Sequence, residues 1–243
     1  MKQLKAVINK EFSGYFKNYT AYIVMAVYLL LTFAATFYSA YFFEYNNQNL
    51  VSFFIYQPVI LNLLVPALTM KLWAEERKLG TLELLLTQPI SYTTLVWGKF
   101  LAAFGFSVII LLMTVPFVCF CAFLIDLDIL NVMSGYIALI LTVGSLCALG
   151  CVVSAINGNV IIAYLSSLFC GWIFLNANFN FLLLPAKKIF PLLNTRLNNI
   201  LNFDEYYQTF IEGQMALSAA AYYCCFILLM LWLNILIVKW HKA

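Results

Sequence analysis

Six apolar runs, at about residues 19–43, 50–73, 95–125, 132–154, 160–177 and 216–238, constrain this chain more than any other feature. None of them holds an Asp, Glu, Arg or His between its ends. Each is close to or above the roughly 20 residues that an α-helix needs to cross the hydrocarbon core of a bilayer. A helix satisfies its own backbone groups, so it can lie in lipid where no water is at hand. The runs predict an all-α membrane protein of six transmembrane helices, forming a single transmembrane domain over residues 1–243.

Composition enters as a check on that reading. Hydrophobic residues fill 65% of the positions and charged residues 9%, where a typical soluble domain carries about 25% charged. The length accommodates six spans with short connections and leaves no room for a second globular unit. A net charge of +3 is too small to suggest nucleic acid as a partner. The seven cysteines (Cys119, Cys121, Cys147, Cys151, Cys170, Cys224, Cys225) all fall inside apolar runs. Their spacings are not those of a zinc site and no histidine lies near them, so they read as small packing residues rather than metal ligands.

The N-terminal arm, residues 1–18, spaces Leu4, Val7, Ile8 and Phe12 at helical intervals between Lys2, Lys5, Lys10 and Lys17. That pattern predicts a basic amphipathic helix lying in the headgroup layer. The first run is too long for a signal-peptide core and reads as an uncleaved span. The second holds Pro58 and Pro66, which predict a helix bent or broken within the bundle. Asn157-Gly158-Asn159 is a tight turn between the fourth and fifth runs. Between the last two runs, Phe181 to Met215 is too polar to span. Leu193, Leu197, Ile200 and Leu201 recur there at helical spacing, and Asp204 is placed to cap a second short helix ending at Gly213.

Charge sets the orientation. Ten basic residues fall on one side: Lys2, Lys5, Lys10, Lys17, Lys71, Arg77, Lys78, Lys99, Lys239 and Lys242. Only three, Lys187, Lys188 and Arg196, fall on the other, with Glu44, Asp126 and Asp128. Both termini are therefore expected in the cytoplasm. The lack of intramembrane Asp, Glu, Arg and His argues against an ion-coupled transporter or proton pump. The only histidine is His241, so no Ser–His pair can form within a span, and an intramembrane hydrolase is excluded. The P-loop pattern is missing as well. Gly98-Lys99 is followed by Phe100, so this chain is not expected to bind ATP or to act as an enzyme.

The connection between the second and third runs is the most informative segment. It reads Trp73-Ala74-Glu75-Glu76-Arg77-Lys78-Leu79-Gly80-Thr81-Leu82-Glu83-Leu84-Leu85-Leu86-Thr87-Gln88-Pro89-Ile90-Ser91. Gly80 permits a sharp turn, Thr81 is a plausible N-cap, and Glu83 sits in the first turn where the helix dipole favours it. Leu82, Leu85 and Leu86 form an apolar stripe, Pro89 ends the helix, and Ser91 can cap the next one. A short helix with an apolar ridge suits docking into a groove on a partner. A helix lying on the bilayer surface would carry the same pattern.

The run from Glu75 to Ser91, followed by Gly98-Lys99 and preceded by Val65-Pro66-Ala67-Leu68-Thr69-Met70, resembles the signature of type-2 ABC exporter permeases, nearest to the gliding-motility type. The resemblance implies that Glu75, Glu76, Arg77, Gly80, Thr81, Leu82, Glu83, Leu85 and Leu86 belong to a coupling helix seated on a separate ATP-binding subunit. It implies two such subunits, which would bind ATP and Mg, and a second permease half, identical or homologous. It also implies residence in the cytoplasmic membrane of a bacterium, substrate passage between the halves, and an external lid of short re-entrant helices before the last span. Family members often carry a histidine near Asp204-Glu205-Tyr206, and this chain has none. Gln57, Asn62, Asn176 and Asn178 are poor lipid-facing residues. They mark the second and fifth spans as the side turned to the partner half, with a hydrophobic or amphipathic substrate. A channel or energy-independent transporter with Asn62, Asn176 and Asn178 lining its pore is the alternative.

Overall fold

The computed structural model describes residues 2–38, 50–87, 90–124, 128–176, 203–214 and 216–240. All regular structure among these residues is helical, in the order α1 (Lys2–Lys17), α2 (Tyr19–Tyr38), α3 (Val51–Thr69), α4 (Lys71–Lys78), α5 (Thr81–Thr87), α6 (Tyr92–Leu112), α7 (Val115–Leu124), α8 (Ile129–Ile156), α9 (Val160–Leu175), α10 (Phe203–Ile211) and α11 (Leu217–Trp240). Short polar side chains start the helices. Asn18, Ser91, Asp128 and Asn159 each accept from a backbone N–H two or three residues on, which relieves a donor that the first helical turn leaves unpaired.

Among the described residues, five helical stretches are long and apolar enough to cross a membrane: Tyr19–Phe37, Phe53–Lys78, Tyr92–Phe123, Ile129–Ile156 and Leu217–Trp240. The fifth apolar run of the sequence forms α9, whose 16 residues extend about 24 Å. The third run, expected as one helix over 95–125, is divided. Met113 and Thr114 interrupt it because Pro116 lacks the N–H that would continue the hydrogen-bond ladder from α6. The second run is not broken at its prolines, since α3 continues through both Pro58 and Pro66 and yields to α4 only at Met70. The carbonyl that Pro58 deprives of its helical donor is that of Phe54, and the Tyr207 hydroxyl donates to it at 2.7 Å.

α8 is the centre of the bundle: 83% of its membrane window is buried, against 22% for α11. It packs against α3, α4, α6, α9, α10 and α11. Small residues permit this closeness. A Cβ on Gly144 would come within 2.9 Å of Ile227 on α11, and one on Gly150 would collide with Thr69 of α3. Hydroxyls inside the bundle donate to their own helix, as Ser107 does to Ala103, Thr142 to Ala138 and Ser167 to Ala163.

The N-terminal helix packs along α6, with Tyr15 stacked on Phe106 at 5.0 Å, while Lys2, Lys5, Lys10 and Lys17 stay exposed. At the end of the bundle remote from α5, α10 buries Phe203, Tyr207, Phe210 and Ile211. Burial holds the Tyr207 phenol well above its ordinary pKa, which keeps its proton available to Phe54. Asp204 stands inside the first turn of α10 rather than ahead of it, because the helix begins at Phe203. Gly213 closes α10 at φ +82°. The expected helix around Leu193–Leu201, together with Asn178, Glu44, Asp126, Lys187, Lys188, Arg196, Pro89 and His241, lies outside the described residues.

Candidate functional site

The segment between α3 and α6 is held on a rigid mount. α4 begins inside the bundle, where its first N–H groups have no helical acceptor. The Ser154 hydroxyl at the end of α8 accepts from Trp73 N at 3.1 Å and Ala74 N at 3.2 Å, and donates to the Met70 carbonyl at 2.9 Å. At the far end of α4, Arg77 donates to the Ile156 carbonyl at 2.7 Å. That places a cation at the C-terminus of α8, where the helix dipole favours it.

A third tie comes from α6. Lys99 is 1% exposed, and its ammonium meets Glu76 at 2.7 Å, Glu11 at 3.3 Å and the Leu72 carbonyl at 2.6 Å. It also lies over the Trp73 ring, 4.8 Å from its centre. One buried cation thus joins α1, α4 and α6. Gly98 makes the approach possible, since a Cβ there would stand 2.5 Å from Val7 of α1. The Tyr15 hydroxyl adds a bond to the Leu68 carbonyl at 3.0 Å, and burial raises its pKa well above the ordinary value, so it remains a donor.

Beyond α4 the chain reverses at Gly80, whose φ is +69°. α5 then runs for seven residues, Thr81–Thr87. Thr81 is its first residue and not a cap, because its hydroxyl donates back to the Glu76 carbonyl at 3.2 Å. Glu83 is in the first turn and exposed. Leu82 and Leu85 are half-buried and pack against the core of the same chain. Leu79, 68% exposed, and Leu84, 69% exposed, are turned outward, and the Leu86 side chain lies outside the described residues. Ser91 caps α6 as expected from the sequence, accepting from Thr94 N at 3.3 Å.

Of the residues assigned from sequence to this segment, Glu76 and Arg77 anchor it inward, Gly80 turns it, and Thr81, Leu82 and Leu85 hold α5 to it. Glu75 and Glu83 are exposed. The polar residues of the spans do not form one group. Gln57 is buried and accepts from Tyr28 of α2 at 2.7 Å. Asn62 donates to the Leu168 carbonyl of α9 at 3.2 Å, beside Gly171, where any Cβ would collide with it. Asn176 is exposed at the end of α9 and donates to the Trp172 carbonyl.

Sequence reasoning did not assign Lys99, Glu11 or Ser154 to this site. For Lys99 a signal existed: with Ser91 as cap, it falls eight residues into the helix, about 12 Å from its start. Ser154 and Glu11 carried no such signal, since only the folded chain brings them to α4. Among the described residues no group of three or more His, Cys, Asp or Glu is arranged to hold a metal.

A family model described as ABC-2 family transporter protein matches residues 6–238. No curated protein matches the chain significantly.

Proposed function

This chain belongs to the ABC-2 transporter family, and from that premise we propose that it is the membrane subunit of an ATP-driven exporter, coupled to a separate ATP-binding subunit through α5. Membership already implies, in general terms, a multi-pass membrane protein that works with an ABC ATP-binding partner. The finer reading is ours: six spans with α9 as the fifth, both termini in the cytoplasm of a bacterium, and two permease halves served by two ATPase subunits. This chain carries no P-loop, so ATP and its metal belong to the partner. The gliding-motility type remains the nearest resemblance in its residues.

The observation that carries the reading is the mounting of α5. Ser154 and Arg77 fix α4 to α8, Lys99 fixes it to α6 and through Glu11 to α1, and α5 projects from it with Leu79 and Leu84 uncovered. A rigid lever with an apolar tip transmits a push; a connector that only lies on lipid has no need of such anchorage. The substrate path is proposed between the halves, on the side of α3 and α9. Ile55, Val59 and Leu63 on α3, with Ile161, Leu165 and Phe169 on α9, present apolar faces there. Those faces support a hydrophobic or amphipathic substrate.

Docking is tested with Leu84→Asp. An aspartate buried without a partner carries a desolvation penalty of several kcal/mol, so co-purification of the ATPase subunit and transport-linked ATP hydrolysis are lost while membrane insertion is unchanged. Retention of the ATPase by Leu84→Asp and by Leu79→Asp would refute the docking role of α5.

A further inference from the structure

α3 and α4 together form one rod. Met70 between them keeps helical dihedrals, φ −55° and ψ −32°, and its N–H reaches the Pro66 carbonyl at 2.9 Å. The stretch Phe53–Lys78 is therefore helical over 26 residues, about 39 Å. One end of this rod carries α5. Near the other end is Phe54, whose carbonyl loses its helical donor to Pro58.

The group that meets this carbonyl comes from 153 positions along the chain. Tyr207, 3% exposed, donates its hydroxyl there at 2.7 Å. The Phe54 ring is seated against α8, where a Cβ on Gly135 would come within 2.8 Å of it. α10 itself rests on α8, α9 and α11, with the Phe203 ring centre 5.1 Å from that of Phe174 on α9 and 5.6 Å from that of Tyr223 on α11. A nearby hydroxyl, or a local change of helical pitch, is enough to serve a carbonyl freed by proline. A phenol delivered from another helix also fixes that helix to the rod.

We infer that Tyr207 is a positioning residue that ties α10 to the α3–α4 rod, so that a displacement of α5 is delivered to the far end of the bundle. Coupling over such a distance is carried by rigid elements and by specific bonds at their ends. The rod is the first, and the Tyr207–Phe54 bond is the second. α10 touches the end of α9, beside which the substrate path is proposed, so its position bears on that end of the path. The inference rests on ATPase docking at α5, and the test reads α5 and α10 separately.

The test is amide hydrogen exchange, read by mass spectrometry, on the full chain in complex with its ATPase subunit, without nucleotide and with ATP plus vanadate. In the wild type, exchange changes roughly threefold or more in residues 79–87 and in residues 203–213. Tyr207→Phe leaves the Phe54 carbonyl bare and lowers the melting temperature. Pro58→Ala in the same molecule returns a helical donor to that carbonyl and restores stability, but not the link. The double variant keeps the α5 response and loses the α10 response, whereas Pro58→Ala alone keeps both. An α10 response that persists in the double variant reduces Tyr207 to a partner for a bare carbonyl and overturns the inference. So does a wild-type complex in which α5 responds and α10 does not. Silence of α5 itself refutes the docking reading and the inference with it.

Discussion

At the scale of single residues, the site is organised by groups that satisfy one another away from water. Lys99 is the clearest case, since its ammonium serves two carboxylates, a carbonyl and an aromatic face. Removing one partner of a buried ion pair leaves charge uncompensated and costs about 3–5 kcal/mol, whereas removing all the charges together can be nearly neutral. Lys99→Met is therefore expected to lower the thermal stability of the purified chain sharply. Adding Glu11→Gln and Glu76→Gln in the same molecule should restore much of the loss. Thermal unfolding in detergent decides it: a Lys99→Met protein as stable as wild type would remove the cluster from the account of how α1 and α4 are joined.

At the scale of elements, the reversal from α4 to α5 depends on Gly80. A Cβ at that position meets nothing within 4 Å, so space does not demand glycine; the positive φ does. A left-handed backbone costs an ordinary L-residue about 1–2 kcal/mol, and Asn less. Gly80→Val is expected to weaken ATPase co-purification, and Gly80→Asn to retain most of it. Equal binding by both variants would show that the geometry of this turn does not govern docking. α3 illustrates the opposite relation between an element and its surroundings. Pro58 would leave a carbonyl bare in a lone helix, yet α10 supplies Tyr207 to it. The prolines predicted a bend or break; the helix is not broken at them, and a neighbour far along the chain satisfies the carbonyl that Pro58 leaves without a donor.

At the scale of the whole molecule, α5 and α10 lie at opposite ends of the bundle, which makes orientation measurable. In a background with the exposed Cys119, Cys224 and Cys225 replaced, a cysteine at Glu212 is expected to react with an impermeant reagent on intact cells. One at Thr87 should react only after permeabilisation. The reverse result inverts the topology derived from the ten-to-three charge bias. Cysteines at Val59 and Leu165, on the exposed faces of α3 and α9, are expected to crosslink two permease halves. Crosslinks obtained only through exposed positions of α2 such as Ile23 would move the interface there. The sequence by itself determined that the chain is helical and membrane-embedded, where most helices start, and that residues 75–91 are the place to look. Those properties follow from hydropathy and local hydrogen bonding, which act over one or two turns. Only the tertiary structure decided that Leu79 and Leu84 face outward while Leu82 and Leu85 do not. It alone brought Glu11, Ser154 and Lys99 to α4. Which face of a short helix is covered, and which distant hydroxyl or ammonium completes a buried group, depends on the neighbours that packing supplies.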